Sequence, residues 1–139
     1  MKSTYLYLIL CIFMLSCGND DDNQNNNDEG LLDGQFSLVN VSGGLLGVDD
    51  DFEIGLITWD FDGYNWVLTV DNNNSANVAY DGLPSGTYDY QILTTTGEDA
   101  YLVVNEVNFS YRIALYDSSE LLLDEGIAFD GFLLSFNSQ

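Results

Sequence analysis

Between Gly34 and Phe136, apolar side chains recur at every second position, and short polar turns interrupt them every few residues. Successive side chains of a strand point to opposite faces, so this period specifies half-buried β-strands. Eight such stretches can be read. The first runs near Gly34–Val41 and ends at Ser42-Gly43-Gly44; the acidic stretch Asp49-Asp50-Asp51 separates it from a second near Ile54–Phe61. Asp62-Gly63 is a hairpin signal leading to a third strand with Trp66, Leu68 and Val70 on one face. A long loop marked by Asn72-Asn73-Asn74, Asp81-Gly82 and the sole proline, Pro84, precedes a fourth strand carrying Tyr88, Tyr90 and Ile92 on one face. The fifth is Ala100–Val104. The sixth sets Val107, Phe109, Tyr111, Ile113 and Leu115 on one side and Asn108, Ser110 and Arg112 on the other. Leu121–Leu123 and Phe132–Phe136 complete the set. Sequential strands with short connections predict an all-β fold, an eight-stranded antiparallel up-and-down β-barrel. Closure removes both exposed edges; an open β-sandwich is the alternative.

The segment ahead of these strands has a different logic. Residues 1–16 open with Lys2, continue as an apolar run from Tyr5 to Leu15, and end at Ser16. A short positive start, an apolar stretch and a small residue at the cut site make a cleaved export signal. Eleven helical residues span only about 16 Å, against a hydrocarbon core of about 30 Å, so the run is too short to cross a membrane. Met14-Leu15-Ser16-Cys17-Gly18 resembles the lipobox of bacterial lipoproteins, which implies that Cys17 is the acylated first residue of the mature chain. Cys11 fails the same test, because Leu10 precedes it. Cys11 would leave with the signal and Cys17 would carry lipid, so no disulfide is expected.

Residues 17–30 then form the anchor and a tether, since Gly18 to Gly30 contains no apolar side chain and has nothing to bury against its ordering entropy. Asp20-Asp21-Asp22 resembles the surface-export signal of Bacteroidetes lipoproteins, implying an outer-membrane lipoprotein that faces outward; simple solvation of the tether is the alternative reading. Residues 31–139 remain for one folded domain.

Charge narrows the partners. The mature chain keeps Arg112 as its one base against 23 acids, a net charge of −22. Such a field repels nucleic acid and anionic headgroups, so membrane attachment is expected through lipid alone. A monomer is expected. The densest acidic group in the domain, Asp49, Asp51 and Glu53 with Asp50, is a candidate for weak Ca²⁺ binding, although no stretch has the spacing of an EF-hand.

Residue types exclude much catalysis. There is no histidine, so Ser-His-Asp and Cys-His mechanisms are absent. The mature chain has no lysine for a Schiff base, and its one thiol is committed to lipid. A carboxylate-pair hydrolase remains formally open. The expectation is a protein that is not an enzyme and needs no resident cofactor.

Four stretches carry a family resemblance. Gly34-Gln35-Phe36 sits where small lipocalin-like proteins have a Gly-x-Trp motif on the first strand. Leu38-Val39-Asn40-Val41-Ser42-Gly43-Gly44, Ile57-Thr58-Trp59-Asp60-Phe61 and Ser85-Gly86-Thr87-Tyr88 resemble small lipocalin-like lipoproteins of Bacteroidetes. Phe36 replaces the tryptophan, and no arginine follows the last strand to pack over it. The resemblance implies binding of a small apolar or amphipathic ligand inside the barrel. Trp59, Phe61, Trp66, Tyr88, Tyr90, Phe109 and Tyr111, all on apolar stripes, are the candidate lining. Simple filling of the core is the competing role for these rings. The second functional class is a cell-surface interaction or adhesion module using the acidic loops.

Overall fold

The computed structural model describes residues 32–97, 99–107 and 110–139. Nine strands follow one another: β1 (Gly34–Gly43), β2 (Val48–Asp51), β3 (Ile57–Asp62), β4 (Val67–Asn72), β5 (Gly86–Thr94), β6 (Ala100–Val104), β7 (Ser110–Tyr116), β8 (Glu120–Asp124) and β9 (Phe132–Ser138). A 3₁₀ turn at Ile127–Phe129 links the last two. Every pairing is antiparallel. The strands neighbour one another in the order β2-β1-β3-β4-β5-β6-β7-β8-β9, and β1 also pairs with β9. That last pairing closes eight strands into a lipocalin-like barrel and removes the sandwich alternative.

The ninth strand is β2, the acidic stretch expected to be only a separator. Its role follows from the lengths of its neighbours. β3 covers just Gly34–Ser37 of the ten-residue β1, which leaves the far half of that edge bare. Val48–Asp51 folds back onto Asn40–Gly43 and takes up those backbone groups. An edge covered by alternating carboxylates is also a poor template for a further strand.

Two bulges reset the alternation. On β1, Leu38 pairs with Phe136 but Asn40 pairs with Ser135, so Val39 is the extra residue. The inward set is therefore Phe36, Leu38 and then Val41. On β7, Ile113 pairs with Leu123 and Leu115 with Leu122, leaving Ala114 extra. Leu115, expected on the inner face with Tyr111 and Ile113, is turned outward and exposed, and Tyr116 packs inside against Phe36. One inserted residue inverts every side chain beyond it. The expected strand starts also move inward: Ile54 is exposed in a turn, and Val107 lies in the turn before β7.

The interior is filled by side chains, as a barrel of eight strands allows. Trp59, Phe61, Leu38, Leu68, Leu102, Tyr111, Leu121, Leu123, Leu134 and Phe136 are essentially inaccessible to solvent. One end of the barrel is closed by Leu32, the residue ahead of β1. The other is covered by residues 73–85, whose Leu83 is buried in the core cluster.

Candidate functional site

At the end where β1 begins, the closure is tied to backbone. The hydroxyl of Tyr90 donates to the carbonyl of Leu32 over 2.8 Å, and the Gly63 amide donates to Asp33 Oδ1 over 3.0 Å. Burial and the neighbouring Asp33 and Asp62 charges push the Tyr90 hydroxyl up to about 12. Trp66 sits over Tyr90, ring centroids 5.7 Å apart. It belongs to the turn between β3 and β4, at φ 59°, rather than to the strand stripe expected for it. The Asp62-Gly63 turn signal is therefore longer than two residues. Its local stabiliser is Asp62, which accepts from the backbone and side chain of Asn65 over 2.9 and 2.7 Å.

At the opposite end, side chains pair with side chains. Tyr80, from the 73–85 loop, stacks on Phe132 with centroids 4.7 Å apart and planes 20° from parallel. Its hydroxyl lies 3.0 Å from that of Tyr111, on β7. Glu125 joins them: it follows the outward-facing Asp124, and its carboxyl reaches the Tyr80 hydroxyl. Burial raises the pKa of all three groups, Tyr80, Tyr111 and Glu125, and so favours their neutral forms. Trp59 lies alongside, 5.8 Å from Tyr111 and 5.0 Å from Phe136. A glycine covers it. A Cβ at Gly82 would stand 3.3 Å from the Trp59 six-membered ring, and Gly82 holds φ at +86°, so the loop lies flat on the indole only because residue 82 has no side chain.

Two buried polar atoms at this end have no partner among the described residues, Trp59 Nε1 and Glu125 Oε2. One is an obligate donor; the other accepts when ionised and donates when protonated. Each such atom costs about 1–3 kcal/mol relative to a satisfied one.

Of the sequence candidates, Trp59, Phe61, Tyr90 and Tyr111 do meet inside the barrel. Phe61 bridges Trp59 and Tyr90 at centroid distances of 6.2 and 5.4 Å. Tyr88 is half-buried, and its hydroxyl donates to the Pro84 carbonyl over 2.9 Å at the root of the loop. Phe109 and Cys17 lie outside the described residues. Asp49 and Asp51 stand on one side of β2 and share the Asn40 amide, at 2.9 and 3.0 Å, while Glu53 lies beyond the strand end. Among the described residues no three histidine, cysteine, aspartate or glutamate side chains converge as a metal site. Tyr80, Leu83, Glu125 and Phe132 were not among the candidates. The first three lie in segments without periodicity, and Asp81-Gly82 is the single signal that the loop turns back on the barrel.

The fold and this capped mouth together define a closed, lipocalin-like β-barrel domain. No protein-family profile matches the chain, and neither a curated protein nor a solved structure is significantly similar to it.

Proposed function

We propose that this chain is a membrane-tethered lipocalin-like lipoprotein that binds one small apolar or amphipathic ligand, without catalysis, at the mouth covered by residues 73–85. The observation that carries the reading is the pair of unpartnered buried polar atoms, Trp59 Nε1 and Glu125 Oε2, beneath one loop. A core that served packing alone would gain stability by losing them. A ligand whose polar end both accepts and donates would satisfy both, with its apolar body against Phe132, Tyr80 and the barrel rim. The rings below the mouth already touch one another, so the loop must lift for a ligand to enter.

The anchor agrees with this arrangement. β1 begins at the end opposite the mouth. A tether running from an acylated Cys17 to Leu32 would hold the mouth away from the membrane, with reach of at most roughly 45 Å when extended. Acylation supplies the attachment that a charge of −22 does not, and Asp20–Asp22 directs the protein outward from the outer membrane.

The test uses the Trp66→Phe variant, in which Trp59 is the one remaining tryptophan. A neutral naphthylamine dye should bind at one equivalent and quench Trp59 emission. No binding, or binding that leaves Trp59 emission unchanged, would overturn the proposal. The second reading, a surface interaction module, draws on the outer face of β3–β5, where Asp60, Asp71 and Asp89 are exposed beside Thr69 and Thr87.

A further inference from the structure

On the outside of the barrel wall, where β6, β7 and β8 run side by side, a cavity of about 390 Å³ is framed by Tyr101, Ser110, Arg112, Asp124, Ala128 and Phe129. Of the residues at the capped mouth, Glu125 alone also borders it, so the two sites adjoin at one carboxyl while their remaining linings are separate. Tyr101, Arg112 and Asp124 are directly opposite one another across the three strands, alternating with the inward Leu102, Tyr111 and Leu123. The floor of the cavity is thus rigid sheet.

Its rim is built with equal care. Asp124 Oδ2 accepts from Arg112 Nη2 over 2.9 Å, and Asp124 Oδ1 accepts from the amides of Gly126 and Ile127, both over 2.8 Å. The one carboxylate therefore ties the ion pair to the 3₁₀ turn. Burial alone would raise the Asp124 carboxyl, but the Ile127 amide, Arg112 and the Gly126 amide together hold it below its ordinary value. The turn is closed further by Phe129 N–H donating to the Gly126 carbonyl over 2.7 Å, between residues 126 and 130, both left-handed. What this pinned turn displays is Phe129, 90% exposed. A large aromatic ring held in water on a fixed turn forfeits burial that a looser turn would recover.

The electrostatics select the ligand. Arg112 is the one base in residues 31–139, and Asp124 already neutralises it. An anion would face a net charge of −22 with no free cation to receive it; a cation would give up hydration with no free carboxylate to receive it, since Asp124 is committed to Arg112 and two amides and burial favours the neutral form of Glu125. A neutral ligand meets neither penalty. Two-fifths of the Arg112 side chain remains exposed, so guanidinium N–H groups are available as donors, and Ser110 offers a hydroxyl. A ligand hydroxyl serves both, since it accepts and donates. Phe129 and Tyr101 supply flat apolar surfaces for a ring with a C–H face.

We propose that this outer cavity binds a neutral sugar ring, its hydroxyls on Arg112 and Ser110 and its C–H face on Phe129. Binding of a single ring is of millimolar order, and salt leaves it unchanged because no net charge is transferred. Titration of the full folded domain with glucose, galactose and mannose, followed by amide chemical shifts, should give saturable changes at Tyr101, Arg112 and Phe129 for at least one of them. Phe129→Ala, at an exposed position that folding does not need, should weaken that binding on the order of tenfold. The same variant should leave dye binding and Trp59 emission at the capped mouth untouched. Absence of saturable shifts with all three sugars overturns the proposal. So does sugar binding that survives Phe129→Ala, or shifts at these residues produced by benzoate or benzylamine instead.

Discussion

Where β1 begins, the Tyr90 hydroxyl donates to a backbone carbonyl, that of Leu32; at the far end the Tyr80 hydroxyl meets another tyrosine hydroxyl, that of Tyr111. The two ends of one barrel thus close on different kinds of partner. A backbone carbonyl moves only if the chain unfolds locally. A side chain on a loop can rotate away and leave the strands intact. The first closure belongs to the fold, and the second can be removed from it. The unpartnered Trp59 Nε1 and Glu125 Oε2 fall at the removable end, where a third party can reach them.

The distinction breaks most visibly under truncation. Leu32 is fully buried beneath Tyr90 and Gly63, so Leu32→Ala leaves a cavity with no mobile segment to fill it. A loss of about 2–4 kcal/mol is expected from urea unfolding, with dye binding at the mouth unchanged. Leu83→Ala removes the same number of carbons from the loop, which can settle into the space. Its cost should be smaller, about 1–2 kcal/mol, and dye affinity should rise because the cap is weaker. Equal losses at the two ends would erase the comparison.

Two glycines allow a sharper contrast. Gly34 and Gly82 hold φ at +100° and +86°, so alanine at either forces a side chain into a backbone region L-residues avoid, costing about 1–2 kcal/mol. At Gly34 the new methyl meets nothing within 4 Å; at Gly82 it presses on Trp59. Gly82→Ala should therefore lose more stability than Gly34→Ala by thermal unfolding, and only Gly82→Ala should shift Trp59 emission toward that of a wetter indole. An unchanged spectrum would show that the loop does not rest on the indole in solution.

The same asymmetry governed what could be read in advance. Eight strands were legible because burial on one face imposes a period of two, as in Ile57-Thr58-Trp59-Asp60-Phe61, where buried and exposed positions alternate. β2 was not legible. Val48-Asp49-Asp50-Asp51 covers an edge and has no buried face, so its pairing leaves no apolar trace. The outward turn of Leu115 was hidden because a bulge is set by pairing with β8, which no local pattern encodes. Among the site candidates, those on strand stripes, Trp59, Phe61, Tyr90 and Tyr111, were brought together by the barrel. Tyr80 and Glu125 come from aperiodic loops, and only the folded chain places them against Tyr111.

The smallest effect expected is also the one in which the ends respond to pH with opposite signs. At the Leu32 end, Asp62 is held below its ordinary 3.8 by the Asn65 side chain and backbone. Asp117 is held below the same value by the Ser119 backbone and side chain. A depressed carboxyl contributes stability above its unfolded value and loses it as pH falls through the folded one. Asp124, on the outer wall, acts in the same sense. Glu125, inside the loop end, is raised above its ordinary 4.5 by burial, with the Tyr80 hydrogen bond opposing. Its folded form holds the proton more tightly than the unfolded chain does. That contribution is complete below the unfolded value and disappears as pH rises through the folded one. Wild-type Tm should therefore fall as pH rises above the ordinary 4.5 of a glutamate, partly through Glu125 and partly through general repulsion among the acids. Glu125→Gln keeps the shape and removes the titration, while repulsion elsewhere is nearly unchanged. The difference in Tm between variant and wild type should then grow in favour of the variant as pH rises. A constant difference across the range would mean that Glu125 is already satisfied at the mouth, and would remove one of the two unpartnered atoms on which the contrast between the ends depends.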